Sequence, residues 1–445
     1  MNAPLRRGAC PGLSAPMQTG DGLLVRMLPI GTIALAAFAA LCAAAREHGN
    51  GVVEITARGS IQVRGLSPTS APRFAAAIAA FGIAASEGIA VHATPLSGLD
   101  LDEILDAEEV AADLRRALAE RALAAQLAPK ISVAIDGGGK LGLDGLAADV
   151  RLRAKLKNGQ AAFAVGVGGD RASETHLGFI AAGDAAAAVI RLLEIIGERG
   201  RNVRVRDLVA SEGAAQFKAV FGDLLLSSNK LSCPALCRAS TSNDGANDVD
   251  GRDKPGHDQA LGVHRLRDGS LAYGLGLAFG HADASSLDQL AKTAATAGAR
   301  GLRTAPARVV LAIGIAPDTL QGFAVEAERL GFIVRANDPR RFVVACAGAP
   351  ICASAHIAAR TIAPRIATDC AQALAEGSVI HVSGCAKGCA HPTSAPLTVV
   401  GTAKGCGLVA DGTARDAPFA MVTVDEMPAA LARHARSSIG GAHHV

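Results

Sequence analysis

Alternation of apolar and polar residues is clearest in the stretch VVEITARGSIQVRGL at residues 52–66. A period of two is typical of a strand with one buried face, so the pattern predicts a long strand or a strand pair here. One face would carry the polar residues and the other the apolar Val53, Ile55, Ile61 and Val63. The polar face contains Glu54, Thr56, Arg58, Ser60, Gln62 and Arg64. Two arginines make this face a candidate anion-binding surface, although a solvated outer face explains the pattern equally well.

The surrounding pattern repeats in the second half of the chain. A strand at 21–28, an alanine-rich helix at 33–47 and a helix at 73–81 flank the alternating stretch. Residues 268–277, 287–298, 302–315 and 320–330 follow the same order of strand, helix, strand and helix. Each copy is followed by a segment that reads as an α/β unit. This A-B-A′-B′ order predicts a duplicated fold whose ligand lies between the two halves, within reach of strands from both.

The repeat defines the expected domains. They are an N-terminal arm with a first half-domain at 1–97, a first α/β domain at 98–226, a flexible insertion at 227–262, a second half-domain at 263–340 and a second α/β domain at 341–445. The insertion is rich in Ser, Asn, Asp and Gly and has no sustained periodicity.

Composition narrows the class of protein. The chain has 445 residues, 50% hydrophobic and 19% charged, with a net charge of +3, which is typical of a globular protein without a nucleic-acid footprint. An apolar run at 28–45 is rich in alanine, and its polar counterpart at 287–298 argues against a membrane segment. There is no Trp and one Tyr, so a flat ligand would be held by Arg, Lys and backbone amides.

The ten cysteines are scattered through a long chain, which favours a reducing cytoplasm over a disulfide framework. Four of them form two pairs, Cys346-x5-Cys352 and Cys385-x3-Cys389, and each pair follows a β-branched run. Five intervening residues argue against a structural zinc site, and the spacing favours iron–sulfur, with zinc or unliganded thiols as alternatives. Cys10, Cys42, Cys370 and Cys406 are expected to be small buried hydrophobes, and the pair Cys233 and Cys237 has no second pair nearby.

This cysteine spacing in a duplicated chain resembles the sulfite and nitrite reductase superfamily. The segment from Thr56 to Gln62 also matches the Thr-x-Arg-x-x-x-Gln strand of that superfamily. The resemblance implies an α+β fold in which two ferredoxin-like half-domains pair into one domain, accompanied by two α/β domains. It also implies that Cys346, Cys352, Cys385 and Cys389 hold a [4Fe-4S] cluster beside a tetrapyrrole.

Two departures point to one branch of the superfamily. Of two lysines that the reductases carry one residue apart, only Lys130 is present, with Ser132 in the second place, and Ile89-Ala90 stands where an arginine is expected. Sulfite reduction needs a dense cationic pocket, and part of that pocket is missing here. The segments at 6–26 and 384–392 resemble the branch that acts in aerobic cobalamin synthesis.

Resemblance to this branch implies a cytoplasmic monooxygenase that hydroxylates precorrin-3A with dioxygen and closes a γ-lactone, using the cluster, a mononuclear non-haem iron and electrons from NADH or a reductase. The substrate carboxylates would pair with Arg58, Arg64, Lys130 and Arg308. His391 is a candidate iron ligand or proton donor, or else a locally bonded turn residue, and no catalytic residue is assigned. A sirohaem-dependent reductase and a non-catalytic electron-transfer or tetrapyrrole-binding protein remain as alternatives.

Overall fold

A computed structural model describes residues 11–121, 123–221, 224–226, 260–374 and 379–440. The chain divides into two compact units. One unit combines the chain before residue 88 with the chain after residue 259, and the other contains the residues between. Most of the expected insertion at 227–262, together with Cys10, Cys233 and Cys237, lies outside the described residues.

The first half-domain is a curved antiparallel sheet covered by two helices. Its elements are β1 (Met17–Thr19), β2 (Gly22–Pro29), β3 (Ile33–Ala34), α1 (Leu35–His48), β4 (Val52–Ile55), β5 (Ile61–Leu66), α2 (Ser70–Ala80) and β6 (Ala85–Ser86). Strands β4 and β5 form a hairpin that pairs Val53 with Val63 and Glu54 with Gln62. The apolar face of this hairpin packs under α1 and α2, because the alternation places Val53, Ile55, Ile61 and Val63 on that side.

The unit between residues 88 and 259 is an α/β domain. Its elements are β7 (Ala90–Ala93), α3 (Ala107–Arg121), β8 (Ser132–Asp136), β9 (Ala148–Lys157), β10 (Gln160–Gly169), β11 (Thr175–Ala181), α4 (Ala185–Glu198), α5 (Val205–Glu212) and α6 (Ala215–Phe221). The strand order is β11-β10-β9-β8-β7, with β7, β8 and β9 parallel and the rest antiparallel. Strand β7 precedes the boundary expected at residue 97, yet it pairs with β8, so this sheet begins earlier in the chain than predicted.

The second half-domain repeats the first. Its elements are β12 (Gly262–Arg265), β13 (Leu271–Gly276), β14 (His281–Asp283), α7 (Ala284–Thr296), β15 (Gly301–Ala305), β16 (Val309–Ile315) and α8 (Leu320–Arg329). Tyr273, the single tyrosine of the chain, is buried on β13 and contacts Phe323 edge-on, with ring centroids 5.9 Å apart.

Each half-domain lends a strand to the other. Strand β3 leaves its own half to pair with β15, and β14 leaves the second half to pair with β4. Helices α1 and α7, which follow the exchanged strands, pack against each other, and one hydrophobic core contains residues of both halves. The predicted pairing of two half-domains into one domain is confirmed, and the exchange explains why they share a core.

The second α/β domain completes this unit. Its elements are β17 (Val343–Ala345), α9 (Ala359–Asp369), α10 (Ala371–Leu374), β18 (Ile380–Ser383), β19 (Ala395–Thr402), β20 (Gly405–Gly412), β21 (Ala420–Val422) and α11 (Met427–Gly440). Strands β17, β18 and β19 are parallel, and β20 and β21 continue antiparallel, as in the first α/β domain.

One expectation is corrected by the hairpin. Arg58 does not share a strand face with Arg64, because the chain turns between Thr56 and Ser60 and Arg58 lies exposed in that turn.

The apolar run at 28–45 forms the end of β2, then β3 and most of α1. Across the part of the chain that the structure describes, no helix is long and apolar enough to span a bilayer.

Candidate iron–sulfur site

The first cysteine pair lies at the carboxyl end of β17. Cys346 donates its backbone N–H to the carbonyl of Val382, 3.2 Å away, which extends the parallel pairing by one residue. The following loop folds back so that the amide of Cys352 donates to Gly348 O at 2.7 Å. Gly348 has φ of +70°, and a Cβ there would lie 2.3 Å from the Ala359 nitrogen, so only glycine lets this loop pack against the start of α9.

The second pair follows β18, the neighbouring parallel strand. Because the carboxyl ends of adjacent parallel strands meet at one edge of a sheet, both cysteine loops come together there. The backbone N–H of Gly384 donates to the Cys346 sulfur at 3.1 Å and joins the two loops. Ser383 Oγ donates to Cys385 O at 2.7 Å, and His356 N donates to Gly384 O at 2.7 Å.

The thiols influence one another electrostatically. Burial raises the pKa of Cys346, the nearby Cys389 and Cys352 raise it further, and the amides of Gly384 and Gly348 act in the opposite direction. Cys346, Cys352 and Cys385 are half-buried and Cys389 is exposed, and none of these four cysteines forms a disulfide.

This arrangement tests the fit of the expected cluster. Among the described residues, no three His, Cys, Asp or Glu side chains converge as they would around a single metal ion. A cubane is wider than one ion and takes one thiolate on each iron, so four thiols gathered from two loops suit it better than they suit zinc. Amide donation to a thiol sulfur is also a recognised way in which proteins tune such clusters. The donor set therefore fits an iron–sulfur cluster.

The other cysteines within the described residues are apart from this edge. Cys42, Cys370 and Cys406 are buried in hydrophobic cores. Burial raises the pKa of Cys42 to about 12 and that of Cys370 to about 11, so both remain protonated thiols. They behave as the small hydrophobes that the sequence predicts.

Three arginines gather around one carboxylate on the polar face of the first half-domain. Glu54 accepts a hydrogen bond from Arg64 Nε at 2.7 Å, a second from Arg360, and a third from Gln62 Nε2 at 2.6 Å. The Oε1 of Gln62 in turn accepts from Arg26 Nε at 2.7 Å. Three guanidinium groups and one carboxylate leave a surplus of two positive charges. We call these five residues the Glu54 cluster.

The Glu54 cluster is largely shielded from water. The side chains of Glu54, Arg64 and Arg360 are 10%, 14% and 15% exposed. Burial by itself would raise the pKa of Glu54, but the charges of Arg64 and Arg360 and their hydrogen bonds outweigh it, and the pKa lies below its usual value. Glu54 is therefore ionised at neutral pH, and Arg64 is bound to it rather than extended into solvent.

Arg360 was not predicted from the sequence. It lies in the first turn of α9, eight residues after Cys352, and reaches the other domain of its unit to bind Glu54. Arg360 and His281 also line a cleft of about 400 Å³ whose wall includes Ile351, the neighbour of Cys352. Burial lowers the pKa of His281, and the charge of Arg360 lowers it further, so this imidazole is neutral at pH 7.

The hairpin turns of the two half-domains meet beside the cysteine loop. Ala307 donates its backbone N–H to Ala57 O at 2.9 Å, which places the turn of Arg58 next to the turn of Arg308. The Arg308 guanidinium then donates to Ala390 O at 3.0 Å, one residue beyond Cys389. The structure thus brings Arg58, Arg308 and the cysteine loop together.

His391 and Lys387 belong to the same loop. His391 Nε2 lies 3.3 Å from Ser394 O and 3.1 Å from Thr393 Oγ1, which are local turn contacts. Lys387 Nζ donates to Ser354 Oγ at 3.4 Å and so spans the two cysteine loops. The role of His391 as an iron ligand stays a prediction.

Lys130 lies in the other compact unit. It is exposed in the turn before β8, and Ser132 at the start of β8 is buried, with its backbone N–H donating to Asp149 at 3.0 Å. Ser132 is therefore a buried structural residue of β8.

Comparison with known proteins agrees with this architecture. Residues 15–81 match the nitrite/sulfite reductase ferredoxin-like half domain, and residues 84–227 match the nitrite and sulphite reductase 4Fe-4S domain. The second matched segment contains no cysteine in this chain, so the position of the cluster rests on the geometry at the edge of β17 and β18.

Whole-chain relatives are similar along almost the full length. A precorrin-3B synthase of Sinorhizobium is 39% identical over 437 residues, covering 98% of this chain and 89% of the relative. A ferredoxin–nitrite reductase of Synechococcus elongatus is 25% identical, covering 87% of this chain and 77% of the relative. The structure of the Mycobacterium tuberculosis NirA protein superposes with a TM-score of 0.73 at 19% identity, over 93% of this chain and 80% of that one. The chain belongs to the precorrin-3B synthase family, which has the nitrite and sulfite reductase fold.

Proposed function

We propose that this protein is a precorrin-3B synthase, an oxygen-dependent monooxygenase that hydroxylates precorrin-3A and closes the γ-lactone during aerobic cobalamin synthesis. The observation that carries the proposal is the 39% identity to a precorrin-3B synthase over 98% of the chain. One atom of dioxygen enters the substrate and the other leaves as water. The two electrons come from NADH or a reductase and are accompanied by two protons.

Cys346, Cys352, Cys385 and Cys389 would hold the [4Fe-4S] cluster at the edge of β17 and β18. When bound, the cluster supplies electrons one at a time. The chain itself holds the four thiols on two neighbouring loops. Gly348 lets the first loop pack against α9, and the amide of Gly384 in the second loop donates to the Cys346 sulfur in the first. Cys389 is the most exposed of the four cysteines.

The substrate carries several carboxylates, and cationic side chains are the natural partners for them. Arg58 is exposed beside the cysteine loop and suits this role directly, and exposed Lys130 suits it on the other unit. Arg64 acts through the Glu54 cluster, whose surplus of two positive charges attracts an anionic group. The cleft lined by Arg360 and His281 has a volume of about 400 Å³. That volume suits one carboxylate side chain of the substrate rather than the whole macrocycle.

The decisive experiment supplies anaerobically purified protein with precorrin-3A, ¹⁸O₂ and a reductant, and follows the product by mass spectrometry. A product carrying one ¹⁸O atom is expected, and an unchanged substrate in the presence of an intact cluster would refute the monooxygenase assignment. It would leave a non-catalytic electron-transfer or tetrapyrrole-binding role.

The similarity to a nitrite reductase supports one alternative, a sirohaem-dependent reductase. The visible spectrum of the purified protein separates the two. Sirohaem bands together with nitrite- or sulfite-dependent turnover would favour the reductase, whereas the broad absorption of a cluster alone favours the proposed synthase.

A further inference from the structure

Arg308 is held in an unusual backbone conformation. Ala307 and Arg308 both have positive φ, 64° and 66°, which non-glycine residues adopt at a cost in free energy. The conformation is secured by two hydrogen bonds, from Ala307 N to Ala57 O at 2.9 Å and from Leu277 N to Arg308 O at 3.0 Å. The turn therefore fixes the direction in which the Arg308 side chain leaves the backbone.

That direction leads underneath the cysteine loop. The side chain passes over Gly280, where a Cβ would lie 2.8 Å from Arg308 Cδ, so a larger residue at 280 would block its path. The guanidinium ends at the Ala390 carbonyl, 3.0 Å away. A strained turn and a close glycine thus combine to place one positive charge beside Cys389.

The surroundings of this charge are neutral. Burial lowers the pKa of the Arg308 guanidinium to about 10, and it remains charged at neutral pH. Within the described residues, Arg308 makes no ion pair with a carboxylate. The neighbouring His381 imidazole is neutral as well, because burial first, and then the electrostatic effects of His391 and Arg308, lower its pKa to about 4.

A half-buried cation without an anion is unfavourable unless another group supplies the negative charge. His381 adds a second sign that the pocket is incomplete. It is fully buried on β18, and neither ring nitrogen finds a hydrogen-bond partner among the described residues. Its ring lies against that of His391, with centroids 5.7 Å apart.

We propose that Arg308 is the fixed counter-charge of the iron–sulfur cluster and sets its reduction potential, rather than binding a substrate carboxylate. Four thiolates make the cluster anionic, and reduction adds a further negative charge that a nearby cation stabilises. This inference rests on the proposed function of the four cysteines. It makes Arg308 a positioning residue that acts through the cluster.

The test compares R308Q, which keeps an N–H donor for Ala390 but loses the charge, with R308K, which keeps the charge. R303Q is the matched control, because Arg303 lies on the same hairpin and donates to Thr32 Oγ1 at 2.6 Å in an exposed setting. Midpoint potentials are measured by dye-mediated titration followed by EPR. We expect a clearly more negative potential for R308Q and wild-type potentials for R308K and R303Q.

Iron and sulfide content and stability without the cluster complete the experiment. If R308Q takes up no cluster while R308K does, the charge requirement is supported; if neither does, Arg308 is a structural strap and the inference fails. Without the cluster, R308Q and the wild-type protein should have the same free energy of unfolding, measured by Tyr273 fluorescence during urea unfolding. A fully loaded R308Q with the wild-type potential overturns the inference alone, whereas a wild-type protein without iron and sulfide overturns the proposed cofactor as well.

Discussion

Replacing Glu54 by Gln removes the only carboxylate of the Glu54 cluster. The change is nearly isosteric, so it isolates the charge. Glu54 accepts two charge-assisted bonds, from Arg64 and Arg360, and one from Gln62. All three ionic side chains are at most 15% exposed, and breaking a buried pair by removing one partner typically costs about 3–5 kcal/mol. We expect E54Q to lower the free energy of unfolding by an amount in that range.

The chain offers a local probe for this measurement. It contains no tryptophan, and its one tyrosine lies in the core that the two half-domains share. Tyrosine fluorescence during urea unfolding therefore reports on the unit that contains Glu54 and not on residues 88–259. E326Q is the matched control, because Glu326 pairs with Arg329 on the surface of α8 in the same unit, and no measurable change is expected there.

The pH dependence gives a second check. The pKa of Glu54 is lower in the folded protein than in the unfolded chain, where it is about 4.3. Its contribution to stability is therefore complete above that value and is lost as the pH falls through the lowered native pKa. The stability difference between wild type and E54Q should be full at pH 7 and should narrow below about pH 4. A difference below about 1 kcal/mol at pH 7, or one that persists undiminished in acid, would refute the argument.

The other predictions concern the cysteine loops and the substrate contacts. C389S should lose the cluster absorption and the monooxygenase activity, whereas C406A should keep both; full iron and sulfide in C389S would show that the ligand set is wrong. G348A should lose the cluster, because a Cβ at position 348 has no room beside Ala359. The control is G322A, where a Cβ meets open space in α8, and this variant should keep the cluster and be stabilised by about 0.5–1 kcal/mol. An equal iron content in the two variants would contradict the packing argument. K130M should raise the KM for precorrin-3A with little change in cluster content, and an unchanged KM would remove Lys130 from the substrate site. Deletion of 233–258 should leave cluster and activity unchanged, and loss of either would show that the insertion takes part.

Patterns within short stretches of the sequence predicted the strands and the side-chain positions on them. The alternation at 52–66 placed Glu54, Gln62 and Arg64 on one polar face, and the hairpin confirms that placement. The same alternation continued through Thr56 to Ser60 and so misplaced Arg58, because a five-residue turn keeps a polar appearance without strand geometry. The two cysteine pairs could be recognised from the β-branched runs before them, which are indeed adjacent parallel strands.

Contacts between segments far apart in the chain could not be predicted from these local patterns. Arg360 is 306 residues from Glu54, and nothing near it in the chain marks it as a partner of the first half-domain. The repeat indicated two similar halves, but it did not reveal that β3 and β14 exchange places, because strands of two and three residues carry almost no periodicity. Arg308 was recognised as a cation of interest, but its backbone conformation, which directs it to Ala390, depends on the opposing turn at Ala57.

The exchange of β3 and β14 has a consequence for synthesis of the protein. Strand β4 ends at residue 55, and its partner β14 ends at residue 283, so 228 residues must be translated before that sheet edge is covered. At typical rates of roughly 5–20 residues per second, the nascent half-domain keeps an open edge for about 10–45 s, while residues 88–259 can fold as a unit of their own. In a concentrated refolding mixture the missing strand can come from a second copy instead, which makes a strand-swapped dimer the expected by-product of this fold.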